Sequence, residues 1–260
     1  MRGLTLTRAG GKMSPSGTRF KVPLTASQWA GKAESHSSPT GALRRPSGVS
    51  NGPEKSHSRR RPERARAWKR MKIGFCTAPA TLTALPARPD CDFIEGHVVN
   101  FLTPEAPDAE FAPRAAALRA CGYLMPAANV LLPAALKCTG PEIDYARLDR
   151  YARTVFRRCR EIGMTIIVFG SAGARMVPEG FSLARGFEQY VDLLRRFGPL
   201  ADDQGVTLVV EPLNRGECNL VNTVLEGAEA VRRANTRGVQ LLVDIFHMLR
   251  NGEPPEDILK

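Results

Sequence analysis

Three side chains that bind metals well follow two apolar runs in the last quarter of the chain. One run, Val206–Val210, leads directly into Glu211, and a second ends in Asp244, with His247 three residues later. Continuous apolar runs of this length are typical of buried parallel strands. In α/β barrels the catalytic groups lie at the carboxyl ends of such strands. We therefore expect Glu211, Asp244 and His247 to face one cavity.

These residue types suit a divalent metal ion. Hard cations prefer carboxylate oxygens, and imidazole is a good ligand for manganese, cobalt and zinc. Each residue also has a simpler interpretation. Glu211 could form a salt bridge with Arg215 or with a neighbouring strand-end Lys or Arg, Asp244 could cap the following turn, and His247 could be hydrogen-bonded at the rim. Together the three residues favour a metal site over these separate roles.

Other polar residues lie where the same cavity is expected. Glu217 is six residues beyond Glu211 and could reach the hydroxyl groups of a substrate, or it could be a solvated loop residue. Glu95, His97 and Asn129 lie in or after the second and third predicted strands, and the sequence does not decide whether they face the cavity. The loop Gly170–Arg175 is small and flexible, and its arginine could bind an anion.

Strand and helix signals alternate through residues 71–260. Apolar, β-branched runs predict six strands, and helical periodicity predicts the segments between them. Such alternation indicates an α/β fold of parallel strands, either an open sheet or six of the eight units of a (β/α)8 TIM barrel. No Gly-x-Gly-x-x-Gly motif follows the first strand, so a dinucleotide-binding sheet is disfavoured. The predicted strands are Lys72–Cys76, Cys91–Glu95, Ala127–Leu131, Thr165–Phe169, Thr207–Val210 and Val239–Val243. The predicted helices are Thr81–Arg88, Ala109–Ala120, Asp144–Ile162, Ser182–Gln204, Thr223–Ala234 with Asn222 as its N-cap, and Pro254–Lys260.

The charge of the chain is concentrated in its first 70 residues. That segment holds 16 Lys and Arg against three acids, whereas residues 71–260 hold 21 against 23, which together give the net charge of +11. The Ser-, Gly-, Pro- and Arg-rich composition predicts a disordered basic tail, from upstream translation or organelle targeting, that binds nucleic acid weakly at most. The nearly neutral remainder argues against a nucleic-acid-binding surface.

The six cysteines all lie beyond residue 71 and form no C-x-x-C pair. Because no secretory signal is present either, we expect reduced, buried thiols and a cytoplasmic protein. No apolar stretch approaches the roughly 20 residues of a membrane helix, so no membrane partner is expected. The sequence leaves a homo-oligomer open.

Residues 71–260 resemble the xylose-isomerase-like TIM barrel superfamily, and especially its sugar (phosphate) isomerase and epimerase branch, which includes ketose 3-epimerases. The Glu-Pro-Leu-Asn-Arg and Asp-x-x-His motifs together are fairly specific, and the Gly-Ser-x-Gly loop adds support. The resemblance is carried by MKIGFCTAP from Met71, DFIEGHV from Asp92, NVLLP from Asn129, VFGSAGARMVPEGF from Val168, EPLNRGECN from Glu211 and LLVDIFHM from Leu241.

The resemblance implies a small-molecule sugar substrate and one Mn²⁺, Co²⁺ or Mg²⁺ ion. By resemblance, Glu211 and Asp244 are metal ligands and Glu211 is also a catalytic acid–base carboxylate. His247 and Glu217 would contact substrate hydroxyl groups. One carboxylate removes a proton next to the ketose carbonyl, the metal stabilises the enediolate, and a second carboxylate returns the proton to the opposite face.

The family also has a histidine ligand on strand seven and a catalytic glutamate on strand eight. The chain ends at Lys260, so we expect both to be absent and the activity of this chain to be impaired. A dehydratase acting on polyols shares the same metal site and is an alternative. An endonuclease of the same superfamily would need further histidines. An inactive fragment with a nucleic-acid-binding tail is the alternative from another class.

Overall fold

Six parallel strands lie side by side in the order in which they occur in the sequence. The computed structural model describes residues 72–84 and 89–260, so the predicted tail of residues 1–70 lies outside the described residues. All five neighbouring strand pairs are parallel, from β1 with β2 to β5 with β6. The strands are Gly74–Cys76 (β1), Phe93–His97 (β2), Ala127–Asn129 (β3), Ile166–Phe169 (β4), Thr207–Val210 (β5) and Val239–Leu241 (β6).

Helical segments connect these strands, which confirms the predicted α/β architecture of six barrel units. The α-helices are Pro79–Thr83 (α1), Asp108–Cys121 (α2), Tyr145–Ile162 (α3), Ala172–Arg175 (α4), Leu183–Asp202 (α5), Val224–Ala234 (α6) and Ile245–Asn251 (α7). A π-helical turn, Val98–Leu102, follows β2, and a 3₁₀ turn, Pro255–Leu259, follows α7. Within the described residues, no helix is long and apolar enough to cross a bilayer.

Local signals set the ends of the long helices. The Asp144 side chain accepts a hydrogen bond from the backbone N–H of Arg147 at 2.8 Å and starts α3. Gly163, with φ of 74°, ends the same helix in the left-handed region that glycine tolerates. The predicted N-cap of α6 was wrong. Thr223 caps that helix, because the Asn222 side-chain amide instead donates to backbone carbonyls of the preceding loop.

Several element boundaries differ from the sequence-based prediction. The third strand ends at Asn129 because Val130, with φ of 52°, turns the chain out of the sheet. The loop predicted at Gly170–Arg175 contains the short helix α4, and a further helix, α7, begins directly after Asp244. The last predicted helix is the 3₁₀ turn. The first helix lies earlier than predicted, and residues 85–88 lie outside the described residues.

The core lies between the sheet and the helices that cover it. Phe156 on α3 and Phe197 on α5 are fully buried and meet edge to face, with ring centroids 6.4 Å apart. This contact packs two of the covering helices, α3 and α5, against each other. The six cysteines form no disulfide with one another, but the expectation that all are buried was wrong, since Cys76 is exposed and two others are only partly buried.

Candidate metal and sugar site

Glu211, Asp244 and His247 meet at the carboxyl ends of β5 and β6. All three side chains are buried, and one ligand atom from each lies within 4.8 Å of the others. The Nε2 atom of His247 is 3.9 Å from Oε1 of Glu211 and 3.8 Å from Oδ2 of Asp244. Within residues 72–84 and 89–260 this is the one cluster with metal-binding geometry. The structure thus brings together the three residues that the sequence singled out.

The carboxylate of Glu211 lies in a space, the cradle, left open by a glycine that follows the neighbouring strand. Gly170 follows β4, and a Cβ atom built on it would lie 2.1 Å from Oε2 of Glu211. No side chain fits at this position, so the missing Cβ makes room for the carboxylate. The alternative in which Glu211 pairs with Arg215 was wrong. Arg215 instead lies 3.8 Å from the carboxylate of Glu226.

Asp244 has two roles, one for each carboxylate oxygen. Oδ1 accepts the backbone N–H of Phe246 at 2.7 Å and caps α7, which is the simpler role that the sequence suggested. Oδ2 is the oxygen that faces His247. The helix therefore orients the carboxylate, and one oxygen stays directed at the cluster.

The hydrogen bonds of His247 define its tautomer. Its Nδ1 atom is 3.1 Å from the backbone nitrogen of Asn214 and 2.9 Å from the Asn214 side-chain amide. A backbone N–H can only donate, so Nδ1 must be the acceptor. The neutral ring then carries its proton on Nε2, the atom that faces the two carboxylates. His247 thus presents a hydrogen-bond donor to the cluster, which fits a contact with substrate better than direct metal ligation.

Asn214 also positions the fourth predicted residue. Its side-chain Nδ2 donates to Oε1 of Glu217 at 2.9 Å. Glu217 is exposed and lines a cavity of about 260 Å³ together with Glu211. Sequence reasoning assigned no role to Asn214, although this residue lies in the Glu-Pro-Leu-Asn-Arg motif. The motif itself was the signal, because the side-chain amide of an asparagine has two N–H donors, which here reach Glu217 and His247.

The polar candidates from the second and third strands divide between two cavities. Asn129 lines the cavity that contains Glu211 and Glu217. Glu95 and His97 instead line a second cavity of about 290 Å³ beside α2, and neither belongs to the metal-type cluster. The strand-two histidine that a multi-zinc endonuclease would use is therefore placed elsewhere.

Arg175 is not available to bind an anion. Its side chain is 0% exposed, and Nη1 donates to the backbone carbonyls of Phe169 at 3.2 Å and Glu211 at 3.0 Å. It also lies 3.4 Å from the hydroxyl of Tyr190, whose pKa is raised by burial. Arg175 therefore ties the ends of β4 and β5 together beneath the site. Sequence reasoning missed this role because burial of an arginine leaves no sequence signal.

The parallel sheet with metal-type donors at its carboxyl edge defines a protein of the TIM barrel class. The model of the family described as xylose isomerase-like TIM barrel matches residues 110–260, and the chain belongs to this family.

The chain is also similar to curated sugar epimerases. It is 36% identical over 62 residues to the D-psicose 3-epimerase of Ruminiclostridium cellulolyticum, a match of 24% of this chain and 21% of that enzyme. It is 33% identical over 72 residues to the D-psicose 3-epimerase of Agrobacterium fabrum, covering 28% of this chain and 24% of the relative. The matches thus span about a quarter or less of these relatives.

Solved structures show the same fold over a longer stretch. A D-psicose 3-epimerase crystallised in the presence of D-fructose superimposes with a TM-score of 0.59 and 19% identity, over 69% of this chain and 65% of that chain. An L-ribulose 3-epimerase gives a TM-score of 0.54 and 20% identity, over 68% of this chain and 62% of that chain. The IolI protein with a bound zinc atom gives a TM-score of 0.52 and 19% identity, over 72% of this chain and 68% of that chain. These likenesses confirm the TIM barrel fold.

Proposed function

We propose that the chain acts on a ketose as a metal-assisted epimerase, with Glu211 as the base that removes a proton next to the carbonyl. The observation that carries the proposal is the buried cluster of two carboxylates and one imidazole N–H at the end of β5 and β6. The similarity to two D-psicose 3-epimerases supports the same substrate class.

The residues of the cluster fit a divalent ion. Two buried carboxylates at this separation repel each other unless a cation or a proton lies between them. The ligand atoms of the cluster all lie within 4.8 Å of one another, so the two carboxylates could hold a hard cation, which prefers oxygen ligands. We propose that Glu211 and Asp244 hold Mn²⁺, Co²⁺ or Mg²⁺. When bound, such an ion stabilises, as a Lewis acid, the negative charge that develops on the ketose oxygens.

Each of the other polar residues has a separate task. A carboxylate has two oxygens, so Glu211 can hold the ion with one and take the substrate proton with the other. Removal of that proton leaves an enediolate. Inversion of the carbon then requires an acid on the opposite face, a role that the resemblance gives to a second glutamate and to none of the residues named in this site. His247 donates from Nε2 to a substrate hydroxyl, and Glu217 accepts from another. Asn214 holds both of these side chains in place.

The test follows exchange of the C3 proton of D-fructose and D-psicose with deuterium by NMR, with Mn²⁺ present. Proton exchange needs the base but not an acid on the opposite face of the sugar. It is therefore measured separately from formation of the inverted sugar. We expect exchange in the wild-type chain and none in Glu211→Gln. Glu179→Gln, which changes an exposed glutamate that lines neither cavity, serves as the matched control.

Two outcomes of the exchange experiment would contradict different parts of the proposal. A wild-type chain that binds Mn²⁺ in calorimetry but exchanges no ketose proton with Mn²⁺, Co²⁺ or Mg²⁺ would refute the epimerase proposal. Exchange that persists in Glu211→Gln would show that another group is the base.

A further inference from the structure

The side-chain amide of Asn129 makes one hydrogen bond in the structure, although it could make more. Asn129 lies at the end of β3 and is 6% exposed. Its Nδ2 atom donates to Sγ of Cys76 at 3.2 Å, whereas Oδ1 is buried without a hydrogen-bond partner among the described residues. Buried polar atoms are nearly always hydrogen-bonded, so an unpaired one calls for an explanation. Asn129 also lines the cavity that contains Glu211 and Glu217.

The backbone around Asn129 is held in an uncommon conformation. Val130 and Ser171 follow β3 and β4 with φ of 52° and 41°, a region that β-branched residues in particular avoid. The Oγ atom of Ser171 accepts the backbone N–H of Leu132 at 2.9 Å, so the two strained turns are bonded to each other. Strained residues of this kind persist where the surrounding structure fixes them, and they cluster at functional sites. The backbone of the turn that follows Asn129 is therefore held in a fixed conformation.

We propose that Asn129 is a specificity-determining residue, whose Oδ1 accepts a hydrogen bond from one hydroxyl group of the sugar bound beside Glu211. This inference rests on the proposed function. A sugar hydroxyl carries an O–H donor, so it can pair with Oδ1 while Nδ2 keeps its contact with Cys76. A site that hydrogen-bonds a substrate hydroxyl rejects analogues without it, because the buried polar atom is then left unpaired.

The variant Asn129→Leu tests this role, since leucine has nearly the same size and no polar atom. Binding of D-psicose and D-fructose to the full chain is measured by calorimetry with Mn²⁺ present. We expect the affinity for the preferred ketose to fall about tenfold, the value of one hydrogen bond. Mn²⁺ affinity should stay unchanged, because Asn129 is not in the metal-type cluster. Asn129→Ser, which cannot overfill the site, gives the same result if the leucine variant folds poorly.

The control separates ligand contact from packing. Cys76→Ala removes the protein partner of the amide, and we expect it to keep the ketose affinity of the wild type. A set of monodeoxy ketoses then identifies the hydroxyl: the analogue without it should bind wild type and Asn129→Leu equally well.

Three outcomes would overturn the inference. If Asn129→Leu and Asn129→Ser bind ketose as wild type does, water satisfies the amide and Asn129 has no role in specificity. If Cys76→Ala reproduces the loss, the role of Asn129 is structural. If the wild-type chain with Mn²⁺ binds neither ketose, the proposed function fails and this inference fails with it.

Discussion

The cradle at Gly170 gives the sharpest prediction for the metal-type cluster. In Gly170→Ala the new Cβ would lie 2.1 Å from Oε2 of Glu211, and an ordinary contact begins at 3.4 Å. The carboxylate must therefore retreat by about 1.3 Å, whereas metal–ligand distances tolerate only about 0.2 Å. We expect Mn²⁺ affinity to fall roughly 10–100-fold, the range seen when the support of a ligand is lost. The backbone of Gly170 does not lie in the left-handed region, so alanine adds no backbone strain.

A double-mutant cycle with Glu211→Asp isolates the cause. Aspartate withdraws the carboxylate by one methylene, about 1.5 Å, so that it no longer meets the added Cβ. Glu211→Asp alone should weaken Mn²⁺ binding, and Gly170→Ala should add little to that loss. Calorimetric titration measures all four proteins, and thermal melting confirms that each is folded. Wild-type Mn²⁺ affinity in Gly170→Ala, or full additivity of the two losses, would refute the reasoning.

Three further predictions concern residues around the site. Asn214→Leu leaves His247 and Glu217 unsupported, so calorimetry should show about tenfold weaker ketose binding with Mn²⁺ affinity within about twofold of wild type; equal loss of both would contradict this. Arg175→Met removes the side-chain donor to the carbonyl of Glu211 and one of the two donors to the carbonyl of Phe169, so urea denaturation should show an unfolding free energy lower by about 2 kcal/mol; an unchanged midpoint would show that the arginine does not hold the strand ends. Burial raises the pKa of Cys138 from 9.0 to about 12. The unfolded chain therefore loses this proton first, and the unfolding free energy should fall between about pH 9 and pH 12. Denaturant titrations across that range should show a shallower decline in Cys138→Ala, and an identical decline would contradict the assignment.

The sequence predicted the fold well where the signal was local. The helix over Tyr145–Ile162 was found from its apolar spacing and its terminal glycine. Strand β5 was found with its observed ends because its apolar run stops at a charged residue. Strands β3 and β6 were predicted too long at their carboxyl ends. For β3 the reason is that the turn at Val130 depends on a backbone conformation that valine rarely adopts.

For the candidate site, the sequence by itself determined which residues could do chemistry. Glu211, Asp244 and His247 are recognisable because strand ends with metal-type donors are rare and parallel strands deliver them to one edge. Only the tertiary structure decided how they are oriented. The tautomer of His247 depends on the backbone of Asn214, 33 positions away in the chain. The space for the Glu211 carboxylate depends on Gly170, across the neighbouring strand. These contacts join residues that are distant in sequence. A local sequence pattern does not specify them, because they form only when the fold brings different strands together.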